Sequence, residues 1–175
     1  MKNDNVVAGL LVIVTEVLDL PAYLAGGCVR DYVHGIKPKD YDFLIPNTEN
    51  LDPADVFHVM SGISEQVSRW GLGSSCIYQG YDQSVDDFND HCLGAMSVKC
   101  NGGTSFDLIF RKETTLEAAI DFFDCNMNKY WYDHVADKIH GSFPEELEFR
   151  PGILTSRIEY MREKFNHLKT LPRSQ

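Results

Sequence analysis

The chain has 175 residues, five cysteines and a formal net charge of −10, with 43% hydrophobic and 24% charged residues. That balance is ordinary for a globular protein and excludes a disordered tail-like chain, while the length is enough for one domain with a real core. The cysteines are odd in number and irregularly spaced, which points to free thiols in a reducing cytoplasm rather than to a disulfide framework.

Residues 6–20 form the first predicted helix, which Pro21 ends. Its apolar run, 6–14, is far shorter than the roughly twenty residues that span a bilayer, and Glu16 and Asp19 follow at once. No Ala-x-Ala-like cleavage pattern follows either, so neither membrane segment nor leader is expected and the cytoplasm is the default location. Residues 22–25 read as a short strand, 27–34 as a helix opening and 40–45 as a strand led by carboxylates. Asp52 or Pro53 starts a helix to about residue 66, Pro53 suiting its first turn. Residues 74–81 alternate weakly and read as a strand. Residues 82–91, with Asp86, Asp87 and Asp90, read as an acidic loop or insertion. Asn101-Gly102-Gly103 joins two strands, 93–100 and 104–111, as a hairpin. A helix at 116–123, a strand at 129–132 and a last helix at 155–168 complete the reading. The fold class is α+β, a mixed twisted sheet with helices packed on one side plus a C-terminal helix. Residues 1–149 make one domain, and 150–175 a basic helix or tail that is not an independent domain.

The chemistry concentrates early. A short strand runs into Gly26-Gly27, a helix start carrying Arg30 and Asp31, and then Asp40-Tyr41-Asp42. A glycine pair lets the backbone approach a ligand closely, and the N–H groups of a helix start offer partial positive charge to phosphate. On an extended strand residues i and i+2 share a face, so Asp40 and Asp42 converge. Two hard oxygen ligands beside a phosphate cradle suit a magnesium–nucleotide site and suggest nucleotidyl transfer. An isolated Asp-x-Asp is more often a surface turn; its position behind Gly-Gly-x-x-Arg-Asp is what singles it out.

Leu24-Ala25-Gly26-Gly27-Cys28-Val29-Arg30-Asp31 and Lys39-Asp40-Tyr41-Asp42 resemble the signature of the tRNA nucleotidyltransferase/poly(A) polymerase family, within the polymerase-β-like nucleotidyltransferase superfamily. The hairpin holding Thr104-Ser105-Phe106-Asp107-Leu108 and the segment Asp124-Cys125-Asn126-Met127-Asn128 are similar to later parts of that family's head domain. The resemblance implies a polymerase-β-like palm fold, Mg²⁺ or Mn²⁺ as cofactor and a nucleoside triphosphate as substrate. It implies that Asp40 and Asp42 bind the metal, that Gly26, Gly27 and Arg30 bind the triphosphate, and that Asp107 completes the metal set or acts as general base. It also implies nucleotide-binding positions at Asp124 and Asn128. The chain looks like a small, head-only form of the kind found in bacteriophages. Two departures stand out. Phe122-Phe123 replaces the family's arginine pair, and of the family's helical domains only 155–168 resembles a part, the first neck helix.

Bland alternatives stand beside these roles. Arg30 either grips the triphosphate or pairs with Asp31 or Asp40 to hold the loop. Asp107 is otherwise an exposed strand aspartate, and Asp124 and Asn128 otherwise serve caps and turns. Tyr130, Trp131 and Tyr132 fit a sheet core better than a base-stacking platform. Cys76, His91, Cys92 and Cys100 lack Cys-x-x-Cys spacing and read as idle thiols and histidine rather than zinc ligands. Residues 150–175 carry six basic and two acidic residues, a surplus of four, which leaves −14 on the rest. An acidic body disfavours broad contact with a polyanion, so an RNA or tRNA 3′ end would be reached through the basic helix. The acceptor is otherwise a protein side chain or a small molecule, and the remaining alternative is a non-catalytic nucleotide-binding module.

Overall fold

Asp4 starts the first helix: its carboxylate accepts from the amides of Val6 and Val7, and α1 runs Asn5–Val17 in a computed structural model that describes residues 1, 4–78 and 91–171. Val7, Leu10 and Val14 recur at helical spacing and are buried, so one stripe of α1 enters the core. The second long helix, α3 (Pro53–Arg69), opens on a reciprocal capping box. Asp52 accepts from the amides of Ala54 and Asp55, and the Asp55 carboxylate accepts from the amide of Asp52. Val56, Met60, Ile63 and Val67 form its buried stripe, each contributing about 1.5–3 kcal/mol. Between these helices lie β1 (Tyr23–Ala25), α2 (Gly27–Val33) and β2 (Tyr41–Ile45).

After α3 come β3 (Gly73–Tyr78), β4 (Cys92–Cys100), β5 (Ser105–Arg111), α4 (Leu116–Asp121), a 3-10 turn at Asn126–Asn128, β6 (Trp131–Asp133), β7 (Lys138–His140) and α5 (Thr155–Thr170). The strands make one seven-stranded sheet in the order β3-β4-β5-β2-β1-β6-β7. Among the described residues only β2 and β5 run parallel, and every other pairing is antiparallel. The sheet is thus mixed, as expected, and the predicted elements fall within a few residues of their observed bounds. The strand β7 was not anticipated, and the acidic stretch 82–91 lies outside the described residues apart from His91.

Strand alternation sorts the sheet into two faces. Tyr41, Phe43 and Ile45 of β2 and Phe106, Leu108 and Phe110 of β5 point toward α1 and α3, forming the main core. The intervening residues point the other way. There Ala25 and Leu44 pack under Leu116, Ala119 and Ile120 of α4, with Tyr23, Ile109 and Phe123 alongside. The short α4 therefore covers part of the second face and leaves the Asp42 end of β2 uncovered. A third cluster joins Met161, Phe165 and Leu168 of α5 to Cys125 and Met127 beside the 3-10 turn. Among the described residues, no helix is long and apolar enough to cross a membrane.

Candidate functional site

The second face carries a cleft of about 440 Å³, bounded by the β1–α2 turn, the loop before β2, the Phe122–Asp124 segment and one side of α5. Gly26 makes the turn. Its φ of 80° and ψ of −141° are open to glycine and costly for other residues, and its amide donates to the Tyr130 carbonyl at 2.7 Å. A Cβ there would stand 3.4 Å from the Phe123 ring and 3.8 Å from Asp42 Oδ2. Gly26→Ala is expected to lower stability by about 1–3 kcal/mol, mostly through backbone strain, as read by urea denaturation. An unchanged midpoint would show that the turn relaxes freely.

Two of the carboxylates meet through the parallel β2–β5 pairing. In the β2–β5 register Asp42 stands opposite Asp107, on the face away from the main core. Asp40 precedes β2 by one residue, is exposed, and accepts a 3.0 Å hydrogen bond from Ser105 Oγ. Burial first, then the charges of Asp107 and Asp40, push the Asp42 carboxyl up to about 6, against the pull of Arg157. Crowded, incompletely neutralised carboxylates of this kind fit a divalent cation with oxygen preference. The set is open: among the described residues no three His, Cys, Asp or Glu side chains are arranged to enclose a metal ion. Asp107 also lies outside the lining of the cleft itself, which Asp40 and Asp42 share. Cys28 lines the same wall, but burial and the nearby Asp42 push its thiol up to about 12, so it is no nucleophile.

Arg30 lines the cleft and is paired with Asp31. It is 2% exposed, and its Nε and Nη2 both donate to Asp31 Oδ1, at 2.8 and 2.6 Å. Its Nη1 donates to Asn128 Oδ1, and Asn128 Nδ2 donates in turn to Asp124 Oδ1 at 2.6 Å. Both ends of this chain are closed by α5. Lys164 Nζ donates to Asp31 Oδ2 at 2.8 Å, and Arg157 Nε to Asp124 Oδ2 at 2.6 Å. Arg30, Asp124 and Asn128 are thus brought together, in a network that positions the cleft wall.

Arg157, Tyr160, Met161 and Lys164 line the cleft from α5, and none was singled out as a site residue from sequence. Their spacing of i, i+3, i+4, i+7 puts them on one helix face, which was the available signal. Lys37 and Lys39, in the loop before β2, also line the cleft and are exposed. The cations of the basic helix contact the protein's own groups, although Arg157, Arg162 and Lys169 remain exposed. Besides the two ion pairs, Arg162 lies over the Phe149 ring, while Lys169 lies over Phe165 and donates to the Glu145 carbonyl. Phe122 also lines the cleft, its ring stacked on His91 at 3.6 Å and flanked by the Arg111 and Arg150 guanidiniums at 5.7 and 5.8 Å. Tyr130 and Tyr132 are core residues, and the Tyr132 hydroxyl donates to Asp137 at 2.6 Å. Trp131 packs against Tyr23 and His140, so this trio does not line the cleft.

A family model of the poly A polymerase head domain matches residues 22–68, which hold the glycine turn, Arg30, Asp40 and Asp42. Comparison with curated proteins finds no match. Among solved structures, the chain is similar to a CCA-adding enzyme in its apo form I, with 19% identity and a TM-score of 0.50 over 75% of this chain and 28% of that one. It is similar to the Thermotoga maritima CCA-adding enzyme complexed with tRNA, with 20% identity and a TM-score of 0.51, over 75% of this chain and 27% of that one. A tRNA-processing enzyme in its apo form I gives 17% identity and a TM-score of 0.52, over 82% of this chain and 34% of that one. The chain therefore spans about a third or less of the length of the structures it matches. Residues 22–68 thus match the poly A polymerase head-domain model, and the fold of the chain is similar to part of the CCA-adding enzyme structures.

Proposed function

We propose that the chain is a nucleotidyltransferase that moves a nucleoside monophosphate from a nucleoside triphosphate to an acceptor hydroxyl. The observation that carries this reading is the meeting of Asp42 with Asp107 across β2–β5, next to Asp40 and the Gly26–Gly27 turn. In the reaction the acceptor oxygen bonds to the α-phosphorus, the bridge to the β-phosphate breaks, and pyrophosphate leaves. Asp40 and Asp42, which share the cleft, would hold Mg²⁺ or Mn²⁺, which when bound stabilises charge on the phosphoryl oxygens and makes the acceptor hydroxyl more acidic. Asp107, opposite Asp42 in the sheet, would accept that hydroxyl's proton; its register with Asp42 supports this role. The amides after Gly26, with Lys37 and Lys39, supply positive charge for the β- and γ-phosphates. Arg30, Asn128 and Asp124, in the wall of the same cleft, act as positioning residues, holding the turn and α5 in register.

The acceptor in this reading is an RNA 3′ end of tRNA type, supported by the likeness to CCA-adding and tRNA-processing enzymes. A second reading, transfer to a protein side chain or small molecule, is favoured by one observation. Two cations of α5 that would make an RNA footprint, Lys164 and Arg157, are already paired with Asp31 and Asp124, and two others lie over the protein's own rings. The test is to incubate the protein with Mg²⁺ and each of four α-labelled nucleoside triphosphates in lysate containing total RNA and protein. Label in a nuclease-sensitive product, lost in Asp42→Ala, is the expected result. Label in a protease-sensitive product moves the acceptor to protein. Nucleotide binding with no transfer to any product defeats the catalytic reading and leaves a nucleotide-binding module.

A further inference from the structure

The cleft's polar groups account for phosphate and metal, but one cleft residue has a different chemistry. Tyr160 is 50% exposed while lining the cleft, whereas the other two aromatic side chains there, Phe122 and Phe123, are only partly exposed and already packed. The Tyr160 ring is held rather than loose. The Arg157 guanidinium lies 5.4 Å from its centroid, and Arg157 Nε is itself anchored on Asp124 Oδ2 at 2.6 Å. Met161, the next residue, is 1% exposed and roots this turn of α5 in the third core cluster. What sets Tyr160 apart from the other exposed aromatics among the described residues, Phe57, Trp70 and Tyr78, is that its ordered ring lines the charged, phosphate-competent cleft.

We infer that Tyr160, fixed by Arg157, is the shelf on which the base of the incoming nucleoside triphosphate stacks. The inference rests on the nucleotidyltransferase reading and extends it to the base. Stacking on a tyrosine is tolerant of base identity, because every base has a π-face, and it is stronger for the larger purines. The shelf therefore adds affinity for all four nucleotides without choosing sharply among them. It contributes nothing to the polyphosphate, which is handled by the glycine turn and the loop lysines.

The test is calorimetric titration, in Mg²⁺, of wild type, Tyr160→Ala and Tyr160→Phe with ATP, CTP and inorganic tripolyphosphate. Tyr160→Ala is expected to weaken ATP about tenfold and CTP by somewhat less, leaving tripolyphosphate unchanged. Tyr160→Phe, which keeps the ring, is expected to bind all three ligands as wild type does. Equal weakening of tripolyphosphate and nucleotides in Tyr160→Ala would make the residue a structural support and overturn the shelf. Unchanged nucleotide affinity in Tyr160→Ala would overturn it as well, with the transfer reading intact. A wild-type protein that binds none of the three ligands would defeat both readings together.

Discussion

Replacing Asp42 with Asn is expected to stop transfer and, at the same time, to make the metal-free protein more stable. The carboxyl titrates at about 6 in the folded protein against 3.8 in the unfolded chain, because it is buried and faces Asp107 and Asp40. A raised folded value favours the protonated form in the native state. Its stabilising contribution is complete below pH 3.8 and is lost as pH rises through 6. Above that window the native state must hold a poorly solvated carboxylate among like charges, at a cost of about 2–3 kcal/mol. Asn at this position removes that cost. In EDTA at pH 8, urea denaturation should therefore find Asp42→Asn more stable than wild type by about 2 kcal/mol, and the gap should close toward pH 4. Transfer should fall by about 10³-fold or more, since a charged oxygen ligand is gone. A variant no more stable than wild type at pH 8 would show that the three carboxylates do not strain one another.

The second large effect concerns Arg30. Deleting its guanidinium leaves Asp31 and Asn128 buried without their principal donor, and an uncompensated buried charge is costly. Arg30→Leu is expected to lower folding stability by about 3–5 kcal/mol, whether or not nucleotide is present. Lys164→Met removes the other donor to Asp31, but its side chain is 23% exposed, and about 1 kcal/mol is expected there. A double-mutant cycle of Arg30→Leu with Asp31→Leu should show strong coupling, because each partner is costly mainly when left alone. Were Arg30 instead a direct phosphate ligand, its loss would weaken nucleotide binding and leave the denaturation midpoint in place. Equilibrium unfolding and nucleotide titration on the same variant separate the two roles.

The contrast between Arg30 and the Asp-x-Asp pair marks how far the sequence could be read. Both were picked out by the same short segment. Asp42 on β2 and Asp40 just before it both line the cleft, because residues two apart on near-extended backbone share a side. Arg30 did not become a free cation: it pairs with the adjacent Asp31 and donates to Asn128, which arrives from a distant part of the chain, while Lys164 closes on the same Asp31 from the last helix. The Asn-Gly-Gly hairpin and the Pro53 helix start were legible for the same local reason. Turn chemistry and capping act within a few residues, and Cys100–Thr104 and Asp52–Asp55 satisfy their own backbone groups. The strand β7 carries no such signal in three residues and exists by pairing with β6.

The sequence by itself determined the glycine turn, the paired carboxylates, the hairpin and the amphipathic stripes of α1 and α3. Each of these is encoded by spacing within one element. Only the tertiary structure decided which charges remain available to a ligand. The parallel β2–β5 pairing set Asp107 beside Asp42, and the docking of α5 turned Arg157 and Lys164 from an outward basic face into the cleft. Periodicity states that a side chain has a buried face, but not which element covers it. A charge's role depends on that missing partner, because the same lysine is a solvated surface group or half of an ion pair according to what packs against it.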